Sequence, residues 1–571
     1  MKFAEFSIKN SLFVNLISLF VIVAGLFAMF NLRRDAFPNV SFDQVTVQTI
    51  YPGAPAEDVE KLITIPIEKE LKAVGGIKEI NSSSEEGLSV ISLTIMPDEK
   101  DKKKAVDDIR RAVDRVSDLP KEVEDPLVFE ITTKDMPILE ISLSGPQSEG
   151  EMRQFAESLE DQILDIEGVA SVRRFGWRDR EFWVEIDPQK ISEYHVAIDE
   201  VREALRLRNV TVPGGQIRTS DLEFNVRTTG EFTTPQEVEE VVVRSNDAGN
   251  FLKIKDIARV VDTFEDETRI AKVNGERATA MVVVKREQAD AITVTDQVKK
   301  VVGEFKASLP QGAKLKIAND FSYYIKRRLG VLQSNGIQGF ILVLLILFIF
   351  MEPIPAIATA LGVPFALLAT FAFMHFFGLT INLITMLGLI IVLGMLVDDG
   401  IVASENIYRH IEMGMKPKEA AIKGASEVMS PILGSIITTW AAFFPLLFMT
   451  DLIGKFIYSI PIVVIAALAA SLFESFIVLP AHIADWTKGI KADASGHIPT
   501  RKDKPWFKKM VNFYSRILNF TLDHRYWVVL GLIIAFIGSI LLATFHMKII
   551  LFTGEGIEEF YIRAEAQQGA Q

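Results

Sequence analysis

Asp398 and Asp399 stand side by side in "LGLIIVLGMLVDDGIVASENIYRH", a stretch that is apolar on both sides of them. An ionised carboxylate near the centre of a membrane-spanning helix costs roughly 2.5–3.5 kcal/mol on insertion scales, so such residues usually face a bundle interior and carry function. Successive helical residues are about 100° apart, so both acids can border one crevice without pointing the same way. Burial and mutual repulsion disfavour the doubly charged state, and the pair is expected to take up and release at least one proton in linked steps. The opposing reading is a helix end in the headgroup region, where carboxylates are cheap. Against it, apolar residues continue through Ile401, Val402 and Ala403, and Ser404, Glu405 and Asn406 make the better exit. An intramembrane aspartyl protease also uses two carboxylates, but its pair must share a proton across one scissile bond, and neighbours on one helix splay apart.

Gly388, Gly394 and Gly400 would let neighbouring helices close on this one. A buried carboxylate pair normally has a cation beside it. The apolar runs that follow residue 330, up to residue 480, carry no interior Lys or Arg; His375, at the end of one of them, is the only basic side chain there. The missing cation is expected from elsewhere.

The elements that must hold the pair are read from composition. The chain has 571 residues, 49% hydrophobic, with 39 Phe, and the apolar residues gather in long blocks. Spans are expected at 11–30, 335–351, 356–377, 381–404, 432–450, 458–480 and 526–545. The first is longer than a signal-peptide core and lacks a small-residue cleavage site. A formal charge of -13 disfavours a nucleic-acid partner. The absence of cysteine excludes disulfides, thiolate metal sites and a Cys nucleophile.

Between the first two spans the pattern is that of a folded soluble region. Strand "QVTVQTIY", a helix from about Pro55 to Val74, strands "IKEINSSS" and "LSVISLTI" and a helix near 101–118 read as βαββα. From Pro137 the pattern recurs with "ILEISLS", helix 149–166, "VASVRRFG" and "REFWVEID". A duplicated ferredoxin-like βαβ module is the economical reading. Pro213-Gly214-Gly215 marks a tight turn within an insertion. "ATAMVVVKRE" and helix 291–307 then lead back to the membrane.

Lys and Arg crowd 483–525 and 405–430, which places both in the cytoplasm and the soluble region outside it; Arg33, Arg34 and Lys326 to Arg328 dissent, but border a long translocated domain. "PWFKKMVNFYSRILNF" reads as a helix lying on the membrane surface, or as a linker. The stretch after the seventh span, "FHMKIILFTGEGIEEFYIRAEAQQGAQ", lies over the stretch after the first, "FNLRRDAFPNVSFDQVTVQTIYPGAP". A lone strand buries almost nothing, so the chain is expected to be the first half of a duplicated protein or to need its other half from elsewhere.

"GMLVDDGIVASENI", together with "FPNVSFDQVTVQTIYPGAPAEDVEKLITIPIEKEL" and the order of one span, large domain, five spans, cytoplasmic segment and seventh span, resembles the resistance-nodulation-division (RND) efflux permeases over essentially the whole chain. The resemblance implies a polytopic α-helical protein with seven spans in this chain and a large α+β extracytoplasmic domain of repeated ferredoxin-like modules. The domains would be 1–31 (tip and first span), 32–136 (first pore module), 137–180 with 273–330 (second pore module) and 181–272 (docking or funnel insertion). Spans two to six would occupy 331–482, a cytoplasmic segment 483–525, the seventh span 526–547 and an incomplete second periplasmic domain 548–571.

It further implies a proton antiporter, not an enzyme, of the bacterial inner membrane, with a cytoplasmic N-terminus and no cofactor beyond the proton-motive force. It would export hydrophobic or amphiphilic molecules as a homotrimer with a periplasmic adaptor and an outer-membrane channel. Asp398 and Asp399 match the family's proton-translocating aspartates, whose cationic partners belong to the second half. Phe175 in "RRFGW" matches an aromatic of the drug pocket; an ordinary turn aromatic is the alternative. The heavy-metal branch usually shows one Asp where this chain has two, which favours organic substrates; the Met-rich metal ligands of that branch lie mostly in the second half, so metals stay open and no metal ligand is named here. A metal exporter, or a secretion or lipid accessory of the same fold, are the competing functions.

Overall fold

The structure, a computed structural model, describes residues 2–218, 223–228, 230–245, 249–266, 270–488 and 504–547, with 562 and 564 singly beyond them. The segment 548–571 therefore lies, but for those two residues, outside the described residues, as does 489–503 of the stretch between the sixth and seventh spans.

Four strands, β1 (Ser41–Ile50), β2 (Ile77–Glu85), β3 (Leu88–Ile95) and β4 (Leu127–Thr132), form a first sheet of order β2-β3-β1-β4, antiparallel throughout. Alternation puts Val45, Val47, Ile91, Leu93 and Ile95 on one face, where they meet Ile63, Ile67, Leu71, Ile109 and Val113 of two crossing helices. The second of these, Lys102–Asp114, is started by Asp101, whose carboxylate accepts from the Lys104 amide at 2.9 Å.

A second sheet repeats that plan. β5 (Pro137–Ser144), β6 (Val169–Phe175), β7 (Glu276–Lys285) and β8 (Lys314–Ala318) run in the order β6-β7-β5-β8, antiparallel, with helices Glu149–Leu164 and Ala291–Ser308 supplying the apolar cover. Lys272–Val273 adds a short fifth strand beside β7, and most of the residues between β6 and it form a separate unit. There Arg180–Ile186 pairs with Ala258–Phe264, where the repeating pattern had assigned it to the second module. Pro213-Gly214-Gly215 is no turn: it lies inside strand Val212–Arg218, where the register against Glu223–Thr228 shifts between Pro213 and Gly215. Gly residues in a strand interior mark a bulge as readily as a turn.

Among the described residues seven helices are long and apolar enough to cross a membrane: Ser11–Asn31, Phe321–Phe350, Pro353–Phe376, Leu383–Glu412, Pro417–Phe448, Leu452–Trp486 and Arg525–His546. Each overlaps one of the seven expected runs, with 351, 377, 381–382 and 449–450 falling just outside the helices. Several continue past the apolar stretch, because polar residues at a helix end can stay helical outside lipid. The first and third spans touch backbone to backbone: a Cβ at Gly25 would lie 2.4 Å from the Leu368 carbonyl oxygen. The fourth and fifth do the same, with Gly424 against Ile407. The helix Pro505–Asp523 and the seventh span bury none of their residues.

The membrane and soluble layers meet where the first span exits. Arg34 forms a parallel bridge with Ile381, between the third and fourth spans, and its guanidinium grips Asp290 with two 2.8 Å hydrogen bonds. Asp290 also caps the helix Ala291–Ser308.

Candidate functional site

The fourth span is not one uninterrupted helix. It consists of Leu383–Leu393 and Asp398–Glu412, joined by a turn at 394–397 whose backbone stays near helical values, with Val397 at φ -84° and ψ -31°. The aspartate pair therefore occupies the first turn of an internal helix, where unpaired amides and the positive end of the dipole favour carboxylates. This tempers the insertion cost that the sequence alone assigns to them. The pair is also divided: Asp399 is 8% exposed, whereas Asp398 faces outward from the elements of this chain.

Small polar groups tie the break to its neighbours. Ser471 of the sixth span donates to the Leu396 carbonyl at 3.2 Å. Thr359 of the third span donates to Ser404 Oγ at 2.8 Å, and Ser404 donates to the Ile401 carbonyl at 3.1 Å. Of the three glycines expected to admit neighbours, Gly388 is close to Ile460 and Gly400 to Thr359, while Gly394 faces open space. Farther along, Asn406 donates to the Gly424 carbonyl at 2.9 Å and to Glu427 at 3.1 Å, and His410 meets Glu427 at 2.8 Å. The fourth and fifth spans are thereby pinned together below the acids.

Sequence reading missed a third acid. Glu474, 5% exposed, opens a single π turn, Glu474–Val478, in the middle of the sixth span. The signal was present: Glu474 is the only acid between Asp451 and Asp485 in an otherwise apolar run. A Cβ at Gly362 would lie 2.7 Å from its Cδ, and one at Gly400 would lie 3.9 Å from its Oε2. The charges acting on this cluster are its own: Asp398 on Asp399, and Asp399 on Glu474. Three basic side chains of the fourth and sixth spans are engaged elsewhere, Lys455 with Asp43, His410 with Glu427 and His482 with Asn15. His375 lies exposed at the end of the third span against Phe27. Such a cluster can hold protons in more than one arrangement. Among the described residues no three His, Asp or Glu side chains converge as a metal-ligand set.

Phe175 lies far from this cluster in the fold, at the end of β6, 47% exposed and paired across the sheet with Ala280. Its basic neighbour Arg174 is committed to structure, pairing with Glu160 at 2.7 Å and stacking over Trp177. Beyond the next residue, Gly176, opens a cleft of about 340 Å³ lined by Gln147, Glu149, Met152, Arg178 and Arg277. The Arg178 guanidinium holds the Glu149 carboxyl below its ordinary range.

Residues 3–570 match the family model described as AcrB/AcrD/AcrF. The chain is 30% identical over 538 residues to "Multidrug resistance protein MdtC" of Proteus mirabilis (strain HI4320), covering 92% of this chain and 52% of that protein. It is 29% identical over 544 residues to the MdtC protein of Pectobacterium carotovorum subsp. carotovorum (strain PC1), covering 93% and 52%. A Yersinia pestis MdtC protein shares 28% over 545 residues, covering 93% and 52%. The chain thus spans about half the length of the curated relatives it matches.

Proposed function

Because the chain belongs to the AcrB/AcrD/AcrF family, the RND permeases, we propose that it supplies the proton-binding half of an inner-membrane exporter of hydrophobic or amphiphilic small molecules. Proton influx drives transport in this reading. The observation that carries it is Asp399, enclosed in the first turn of a helix that begins inside a membrane-length apolar segment, with Asp398 beside it. Loading a proton removes the repulsion between the two and alters how strongly the helix end holds them. Each proton moved down a membrane potential is worth about 2.3 kcal/mol per 100 mV. No cofactor beyond the proton-motive force enters this scheme, and no bond is made or broken in the cargo.

The two sheets of like strand order are taken as ferredoxin-like pore modules at 32–136 and at 137–180 with 273–330. The unit at 181–272 is taken as the docking insertion. The soluble region would face the periplasm, with the N-terminus and 483–525 in the cytoplasm, where the helix Pro505–Asp523 would lie along the membrane surface. Cationic partners for Asp398 and Asp399 would come from a second half, and the assembly would be a trimer with a periplasmic adaptor and an outer-membrane channel. The multidrug names of the relatives favour organic cargo over metals.

The test is efflux of a fluorescent amphiphile from liposomes holding the complete assembly under an imposed proton gradient. Replacing both acids, Asp398→Asn with Asp399→Asn, is expected to abolish gradient-driven efflux. Efflux at the unmodified rate would refute the reading.

A further inference from the structure

Glu474 sits in the interior of a helix long and apolar enough to cross a membrane, on a turn that departs from the α-helical ladder, and π turns inside helices occur disproportionately at working positions. Its carboxyl is pressed flat against Gly362, where an added Cβ would meet Cδ, Oε2 and Oε1 at 2.7, 2.8 and 2.9 Å. From there Oε2 faces Gly400, the residue that follows Asp399, and would lie 3.9 Å from a Cβ placed on it. Ser475 Oγ donates to it at 3.4 Å.

Among the described residues, the elements packed on this turn bring no compensating cation. The third span presents Thr359 and Gly362, and the fourth presents Asp399 and Gly400. The N-terminal helix Lys2–Lys9 also packs here, but its Glu5–Lys9 pair lies exposed, and the first span contains no charged residue. On the sixth span itself, His482 stands about two turns away and is held by Asn15 of the first span at 3.0 Å. A carboxylate buried without a cation and beside a second carboxylate is costly to ionise. Gly362 preserves the space it occupies; a well-packed methyl group at that position would have been the cheaper way to fill the gap.

We propose that Glu474 is a further proton-carrying group of the site, exchanging its proton with Asp399. The exchange is a plain proton transfer: the O–H bond of one carboxyl breaks as an O–H bond forms on the other carboxylate, and no electrons change centre. The sixth span thereby shares the load that the sequence assigns to the fourth alone. This inference rests on the proton-driven reading above.

The experiment is infrared spectroscopy of the complete transporter in liposomes across a pH titration, following the C=O stretch of protonated carboxyl groups, alongside the pH profile of efflux. Glu474→Gln is expected to remove one carboxyl band and to shift the efflux profile, and Asp399→Asn to remove another and displace the Glu474 band. Should Glu474→Gln fail to assemble, Glu474→Asp keeps a titrating group on a shorter arm and is expected to move the band and the profile. A glutamine variant that assembles normally with band and profile unchanged overturns the proposal, as does an aspartate variant with both unmoved. Loss of efflux in Asp398→Asn with Asp399→Asn alongside that result would leave the proton-driven reading standing, whereas undiminished efflux in the double variant would remove both.

Discussion

Lys455, one turn into the sixth span, pairs with the carboxylate of Asp43 on β1, so that the helix carrying Glu474 is joined directly to the first soluble sheet. Lys102 approaches the same carboxylate oxygen at 2.6 Å, and Lys455 also donates to the Ser41 carbonyl at 2.9 Å. Phe456 reinforces the joint, its ring 5.9 Å from Phe37 and 6.1 Å from Phe42. Asp43 adopts φ 55°, where the pairing of β1 with β4 shifts register between Ser41 and Gln44.

Asn tolerates that backbone conformation as well as Asp does, so Asp43→Asn removes the charge without straining the turn. It leaves two ammonium groups facing one another, and a loss of about 1–3 kcal/mol is expected. Thermal unfolding of the purified protein measures the loss. Slower efflux per assembled molecule would accompany it if the joint transmits motion; unchanged stability and efflux would show that the joint is incidental.

Gly362→Ala tests the packing around Glu474 without touching an acid. The new methyl group would overlap the carboxyl and force it aside, a strain of about 1–3 kcal/mol. Combining it with Glu474→Ala should recover most of that strain, since the overlapping atoms are gone. Additive losses in the double variant would mean that the two residues do not meet.

Acid sensitivity at the first-span exit has a definite sign. Burial pushes the Asp290 carboxyl up, but the hydrogen bonds from Arg34 and Thr293 outweigh it and hold it below the ordinary Asp range. A depressed folded value means that Asp290 contributes stability fully above the unfolded value of about 3.9, and that this is lost as pH falls through the lower folded value. Asp35 contributes oppositely: burial, opposed by Lys285, leaves its carboxyl raised, so the folded state takes up that proton first as pH falls. Stability measured from about pH 5 downward should fall less steeply in Asp290→Asn than in the unmodified protein; identical slopes would contradict the assignment.

Phe175 is exposed enough that its loss should barely disturb folding. Phe175→Ala is expected to change stability by less than about 0.5 kcal/mol, while raising the KM for an aromatic amphiphile if the ring contacts cargo. An unchanged KM would return Phe175 to the role of a turn aromatic.

Much of this architecture was legible because hydrophobic run length and strand alternation are strong, local signals. The seven apolar helices and both groups of strands followed from them. Pro213-Gly214-Gly215 misled because a bulge and a turn ask for the same residues. Arg180–Ile186 alternates like any half-buried strand, so the repeat drew it toward the second module, whereas its pairing with Ala258–Phe264 puts it with the insertion. The break before Asp398 left little trace, since 394–397 contains one glycine among apolar residues that any membrane helix would accept. Glu474 was readable but passed over, because a lone acid draws less notice than a pair.

The interruption at 394–397 turns the fourth span into a two-piece lever. Its lower arm is bolted to the fifth span through Asn406 and His410, and its upper arm packs on the sixth span at Gly388 and Leu389. That arm begins beside Ile381, whose bridge to Arg34 leads through Asp290 into the helix roofing the second sheet. A hydrogen ion arriving at the fulcrum would thus act at a distance, tilting a rod whose far end is anchored in the soluble machinery.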